Sequence, residues 1–117
     1  MEDWKEAFQR EMDAARRAQV EGNEGRARVC ARRAAGAAAG EYLRQRLIDN
    51  IPVSAMDRLR LLENFPNFPL EIQQTAQRLL LRVDTQFNLP EQIDLIAEAQ
   101  KLADFASAES SRRSLHE

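Results

Sequence analysis

The chain has 117 residues, enough for one domain with a real core and too few for two. Its 17 basic and 19 acidic side chains nearly cancel, which argues against a nucleic-acid coat protein or a polybasic membrane binder. Cys30 is the only cysteine, so no intrachain disulfide is available.

The opening MEDWKEAFQRE is acidic and polar where a signal peptide is basic and then apolar. No run approaches the roughly 18–20 apolar residues that span a bilayer. A soluble protein of the reducing cytoplasm is expected. In chain order, residues 3–21 place Trp4, Phe8, Ala15 and Ala18 near one face of a helix, and Gly22 and Asn23 end it because both tolerate left-handed backbone angles. The stretch from Glu24 to Asn50 is rich in alanine and free of proline, and reads as the central helix. At about 100° per residue, Ala27, Ala31, Ala34, Ala38 and Tyr42 share one face, and Val29, Gly36, Leu43 and Leu47 another. Two apolar faces predict two packing partners. Between them lie two arginine stripes, Arg26, Arg33 and Arg44 on one side and Arg28, Arg32 and Arg46 on the other. Gly36 and Gly40 form a small-xxx-small pair, read as close helix packing.

After Asn50, Ile51 and Pro52, the Ser54 hydroxyl is placed to accept from the Asp57 amide in a variant capping box. A short third helix follows with Met56, Leu59, Leu62 and Phe65 at spacings of three. The prolines of NFPNFP break it, and Pro69 suits the first turn of a fourth helix. Ile72, Ala76, Leu79, Leu80, Val83 and Phe87 give that helix a regular apolar stripe. Beyond the turn Asn88-Leu89-Pro90, a fifth helix has Glu91, Gln92 and Asp94 in its first turn and buries Leu95, Ala99, Leu102, Ala103 and Ala106. The polar, serine-rich end after Ala106 reads as frayed. No stretch alternates with period two, so no strand is predicted. The expected fold is all-α, an antiparallel up-and-down bundle of four to five helices over residues 1–107 with a flexible tail at 108–117.

Chemistry-bearing residues are sparse. His116, the one histidine, falls in the expected tail, where an imidazole has no fixed geometry for acid–base work. One cysteine and one histidine do not make a zinc site, and the helical carboxylates lack the Glu-x-x-His pairs of di-iron bundles. Gly22 and Gly25 lack the strand and lysine of a phosphate loop. No catalytic residue, metal or cofactor is expected. Arginine remains. Residues 24–46 carry six arginines against two acids, while residues 84–109 carry six acids against one lysine. Guanidinium groups clamp phosphates bidentately, so Arg32 and Arg33 with Arg78 and Arg82 form a candidate anion site. The simpler reading has these arginines salt-bridged to the acidic final helix. Phe65, Phe68 and Phe87 are read as core plugs at helix ends; an exposed apolar groove for a partner helix is the alternative.

The order of signals, from the turn EGNEG through RARVCARRAAGAAAGEYL, RLRLLENF, FPLEIQQTAQRLLLRVD and TQFNLPEQ to LIAEAQKLADF, resembles the HEPN family over residues 3–107. That resemblance implies an up-and-down bundle that forms homodimers and is often paired with a minimal nucleotidyltransferase as toxin and antitoxin. Active members are metal-independent ribonucleases with Arg followed after four to six residues by His. Here Arg82 is followed by Asn88, and Arg112 and Arg113 lie too close to His116. An asparagine amide orients a phosphate or ribose hydroxyl but does not exchange protons near neutral pH. The expectation is therefore a non-catalytic module that binds a protein or a nucleotide, with Arg32, Arg33, Arg78, Arg82 and Asn88 as the candidate nucleotide site. The alternatives are a ribonuclease toxin acting on RNA and an adaptor that binds a partner helix.

Overall fold

The computed structural model describes residues 3–81 and 93–116, with side chains as far as Ala108. Every regular element among them is a helix: α1 (Trp4–Val20), α2 (Glu24–Gln45), α3 (Ala55–Asn64), α4 (Leu70–Leu80) and α5 (Leu95–His116). The expected all-α bundle is the observed fold. Helix α2 packs against α1, α5 and α3, and α4 closes the bundle between α3 and α5.

Asp3 starts α1 by accepting the Glu6 amide at 2.8 Å. Phe8, Met12, Ala15 and Ala18 form the buried stripe, so Met12 joins the residues expected there and Trp4 is only half-buried at the edge. Gly22 takes φ 79°, and the amides of Gly22 and Asn23 bond the carbonyls of Gln19 and Ala18 at 3.1 and 2.8 Å. This is a Schellman ending with glycine at the left-handed position. Asn23 then caps α2, its side chain accepting the Arg26 amide at 3.1 Å. One short turn thus stops the first helix and starts the second.

The central helix is shorter than its composition predicts. It ends at Gln45, because Leu47 adopts φ 58° and the amides of Leu47 and Ile48 return to the carbonyls of Arg44 and Leu43 at 3.0 and 3.2 Å. The same Schellman geometry recurs here with leucine in the glycine position, where Cβ sterics cost about 1 kcal/mol. The two-faced reading of α2 needs correction. Ala27, Ala31, Ala34, Ala38 and Tyr42 on one face and Gly36 and Leu43 on the other are buried as expected, but Val29 and Leu47 are exposed. Cys30, Ala35 and Ala39 are buried as well, so α2 meets three neighbours and leaves one narrow strip to solvent, marked by Arg26, Val29, Arg33 and Arg44. Alanine permits this, since short side chains let backbones approach until dispersion contacts accumulate.

In α3 the Ser54 hydroxyl accepts the Asp57 amide at 3.3 Å, as expected, and Leu59 and Leu62 are buried. Phe68 is buried edge-on to Tyr42 and stacks on the half-buried Phe65, so both rings plug the core. The Gln73 amide holds the proline break in place by donating to the carbonyls of Phe65 and Phe68 at 2.9 and 2.8 Å. Ile72, Ala76 and Leu79 are the buried stripe of α4. That helix stops at Leu80 with Leu81 extended, earlier than its periodicity predicts, and Val83 and Phe87 lie outside the described residues. Asp94 is the cap of α5 rather than part of its first turn, accepting the amides of Ile96 and Ala97 at 3.0 and 3.2 Å. Leu95, Ala99, Leu102, Ala103 and Ala106 are all buried. The backbone stays helical to His116, because nothing between Ala106 and His116 is glycine or proline. Met12, Leu43, Leu59, Leu62, Ile72, Leu79 and Leu102 are fully buried, each contributing roughly 1.5–3 kcal/mol of apolar transfer.

Candidate functional site

The described members of the sequence-derived arginine site do not converge on one point. Arg32 extends from α2 to the end of α4, its Nε donating to the Leu79 carbonyl at 2.8 Å and an Nη to the Leu81 carbonyl. There it satisfies acceptors that a helix end leaves open. Arg33, one position on, is exposed on the other side of α2. Arg78 crosses from α4 to α5, donating from Nε to Glu98 at 2.8 Å. Arg82 and Asn88 lie outside the described residues, as do Glu91 and Gln92 and the side chain of His116.

The salt-bridge reading holds for Arg78, which pairs with the final helix. On α2, Arg32 bonds backbone carbonyls, Arg46 bonds the Tyr42 hydroxyl, and Arg44 grips Glu41 of its own helix with two bonds of 2.6 and 2.8 Å. The Glu41 hydrogen bond, reinforced by its charge, raises the pKa of Arg44 above the usual value.

Two of the clefts open to solvent border these charged side chains. The first, about 530 Å³, lies between α4 and α5 and is bordered by Thr75, Arg78, Lys101, Asp104 and Phe105. Beneath it, buried Glu98 accepts from Arg78 and from Lys101 (3.2 Å) on the same oxygen, Oε1, while its Oε2 is buried without a partner among the described residues. Its two cations share the Glu98 carboxylate, and the acids Glu71 and Asp104 also border the cleft.

The second cleft, about 660 Å³, is a groove bounded by the start of α1, the C-terminal half of α2, and the segment from Ile51 to Arg58. Trp4, Ala7, Ala37 and Ile51 give it an apolar lining, and Asp3, Glu41, Arg44 and Arg58 supply its polar border. The glycine pair of α2 builds this side of the molecule. A Cβ on Gly36 would press on the Cβ of Ala55 and fall 2.8 Å from its Cα, so only glycine lets α3 cross here. A Cβ on Gly40 would fall 2.9 Å from Arg58 Cζ, so that glycine seats a guanidinium. Arg58 is anchored by Nε to the Pro52 carbonyl at 2.6 Å and by Nη1 to the Gly36 carbonyl at 3.0 Å. Burial lowers its pKa below the ordinary arginine value.

Sequence reasoning finds the close packing of Gly36 and Gly40 but misses Arg58, which stands outside both arginine stripes. The usable signal was its spacing: four residues after Ser54 and one turn into a helix that follows Pro52, it is within reach of the loop carbonyls. Cys30 is buried, and among the described residues no group of three or more His, Cys, Asp or Glu side chains is placed to hold a metal ion. No helix among them is long and apolar enough to cross a membrane. Compared with family models, curated proteins and solved structures, the chain gives no match.

Proposed function

We propose that this chain is a non-catalytic, HEPN-like interaction module that binds another protein through the groove between α1, α2 and α3. The observation that carries the proposal is the contrast in what the polar groups do. Arg32 and Arg78 are engaged by carbonyls and a carboxylate of the bundle, whereas the groove offers an open apolar floor with Trp4 on its wall. Apolar concave surfaces with few polar groups are where partner side chains insert. A homodimer, which the resemblance implies, is part of the proposal, and light scattering that finds monomers over a wide concentration range would remove that part.

The test uses Trp4, the chain's one tryptophan, as a reporter. Titration with a minimal nucleotidyltransferase, the partner class implied by the resemblance, is expected to shift Trp4 fluorescence saturably. Titration with AMP or a short RNA is expected to leave it unchanged. Saturable amide shifts around Arg33 and Arg78 on adding AMP, with nothing at Trp4, would favour a nucleotide site instead. RNA cleavage in EDTA that is lost in Arg82→Ala would overturn the non-catalytic assignment.

A further inference from the structure

We infer that the groove receives a segment of a partner protein that presents a carboxylate among apolar side chains, with Arg58 as the group that binds the carboxylate. The inference rests on the interaction reading above and names the chemistry of the occupant.

Four ionisable side chains border the groove: Glu41 and Arg44 pair with each other, Asp3 caps α1, and Arg58 stands apart. Asp3 accepts the Glu6 amide at the positive end of α1. Glu41 is held through both oxygens by Arg44. Arg58 has no acid partner among the described residues: its bonds go to two neutral carbonyls. Those carbonyls orient the guanidinium without cancelling its charge. Its Nη2 has no protein acceptor among the described residues, and its lowered pKa reflects the loss of solvent around it. A partly desolvated, immobilised guanidinium gains more from a carboxylate than a solvated one does, and its geometry is fixed before binding.

The seat is built for this arrangement, because Gly40 leaves the space in which the guanidinium lies against α2. Trp4, Ala7, Ala37 and Ile51 would contact the apolar side chains that flank the partner's acid. The open strip of α2 continues the same character with exposed Val29 between Arg26 and Arg33. A partner alternating acids with apolar residues therefore matches the surface beyond the groove as well.

Selection of random displayed peptides on the immobilised full chain, followed by calorimetric titration of those recovered, tests the inference. Recovered peptides are expected to carry Asp or Glu between Leu, Ile or Phe. Changing that acid to its amide should weaken binding about tenfold or more, the usual scale for a charged hydrogen bond. This arm uses the unaltered protein, so misfolding cannot imitate it. In Arg58→Gln the difference between acid and amide peptides should vanish, and Ala37→Phe, which fills the floor, should abolish binding. Equal affinity for acid and amide peptides, with Ala37→Phe still blocking, would sink the carboxylate assignment and leave the interaction reading intact. Finding no peptide whose binding responds to Ala37→Phe would sink both. Displacement of the peptides by inorganic phosphate or AMP, lost in Arg58→Gln, would make this a phosphate pocket. Dimerisation of the chain abolished by Ala37→Phe would make the occupant a second copy. Either result overturns the inference.

Discussion

Helices α3 and α4 are similar in length, yet they are fastened to the bundle in opposite ways. Helix α3 meets α2 where side chains have been taken away, at Gly36 and Gly40. Helix α4 is tied on by long side chains, with Arg32 of α2 holding its last carbonyls and its own Arg78 crossing to Glu98 of α5. On the α4 side each described cation ends on a carboxylate or a helix terminus, and the cleft above Glu98 is internally balanced. On the α3 side, backbone proximity does the fastening, and Arg58 is left on carbonyls with no acid paired to it among the described residues. Attachment by small residues leaves polar groups available, while attachment by ion pairs uses them up.

The largest effect is expected from Gly36→Val, which puts atoms where the Ala55 backbone lies and adds a β-branched side chain inside a helix. A loss of about 3 kcal/mol in chemical denaturation is expected from overpacking. A change near zero would show that α3 does not depend on the close approach. On the other side, Arg78→Ala leaves buried Glu98 with Lys101 alone. Breaking a fully buried pair costs more, but both cations here are partly exposed, so about 2 kcal/mol is expected from the denaturation midpoint. Leu47→Gly should go the other way, gaining about 1 kcal/mol as a higher midpoint, because it removes a side chain from a left-handed position at little loss of burial. Gly40→Ala is the smallest effect. The gain in helix propensity of about 1 kcal/mol offsets displacement of the Arg58 guanidinium, leaving stability within roughly 0.5 kcal/mol of the parent. If instead it costs as much as Gly36→Val, both glycines serve close backbone approach and Gly40 is not a seat for the guanidinium.

The two Schellman endings explain what could be read in advance. At Gly22 the residue type announces the conformation, and the stop of α1 follows from the sequence. At Leu47 the hydrogen bonds have the same pattern, but a leucine carries no such signal, and the helix was expected to run on to Asn50. The arginines divide the same way. Their stripes on α2 follow from helical spacing, and Arg33 is exposed as a stripe residue should be. That Arg32 would reach the carbonyls of Leu79 and Leu81 depends on where α4 ends, which no local pattern contains. Arg58 carries no stripe signal, because its environment is set by Pro52 and Gly36 on other segments.

Local physics in the chain decided the helices, their starts at Asp3, Asn23 and Ser54, and the buried stripes of α4 and α5. Each of these depends on residues within a few positions of one another, through the helical repeat and through side-chain oxygens reaching the first free amides. Tertiary packing alone decided that α2 has three neighbours, that Gly40 lies under a guanidinium, and that one groove stays open beside Trp4. Those features join residues far apart along the chain, and their geometry exists only once the helices have docked.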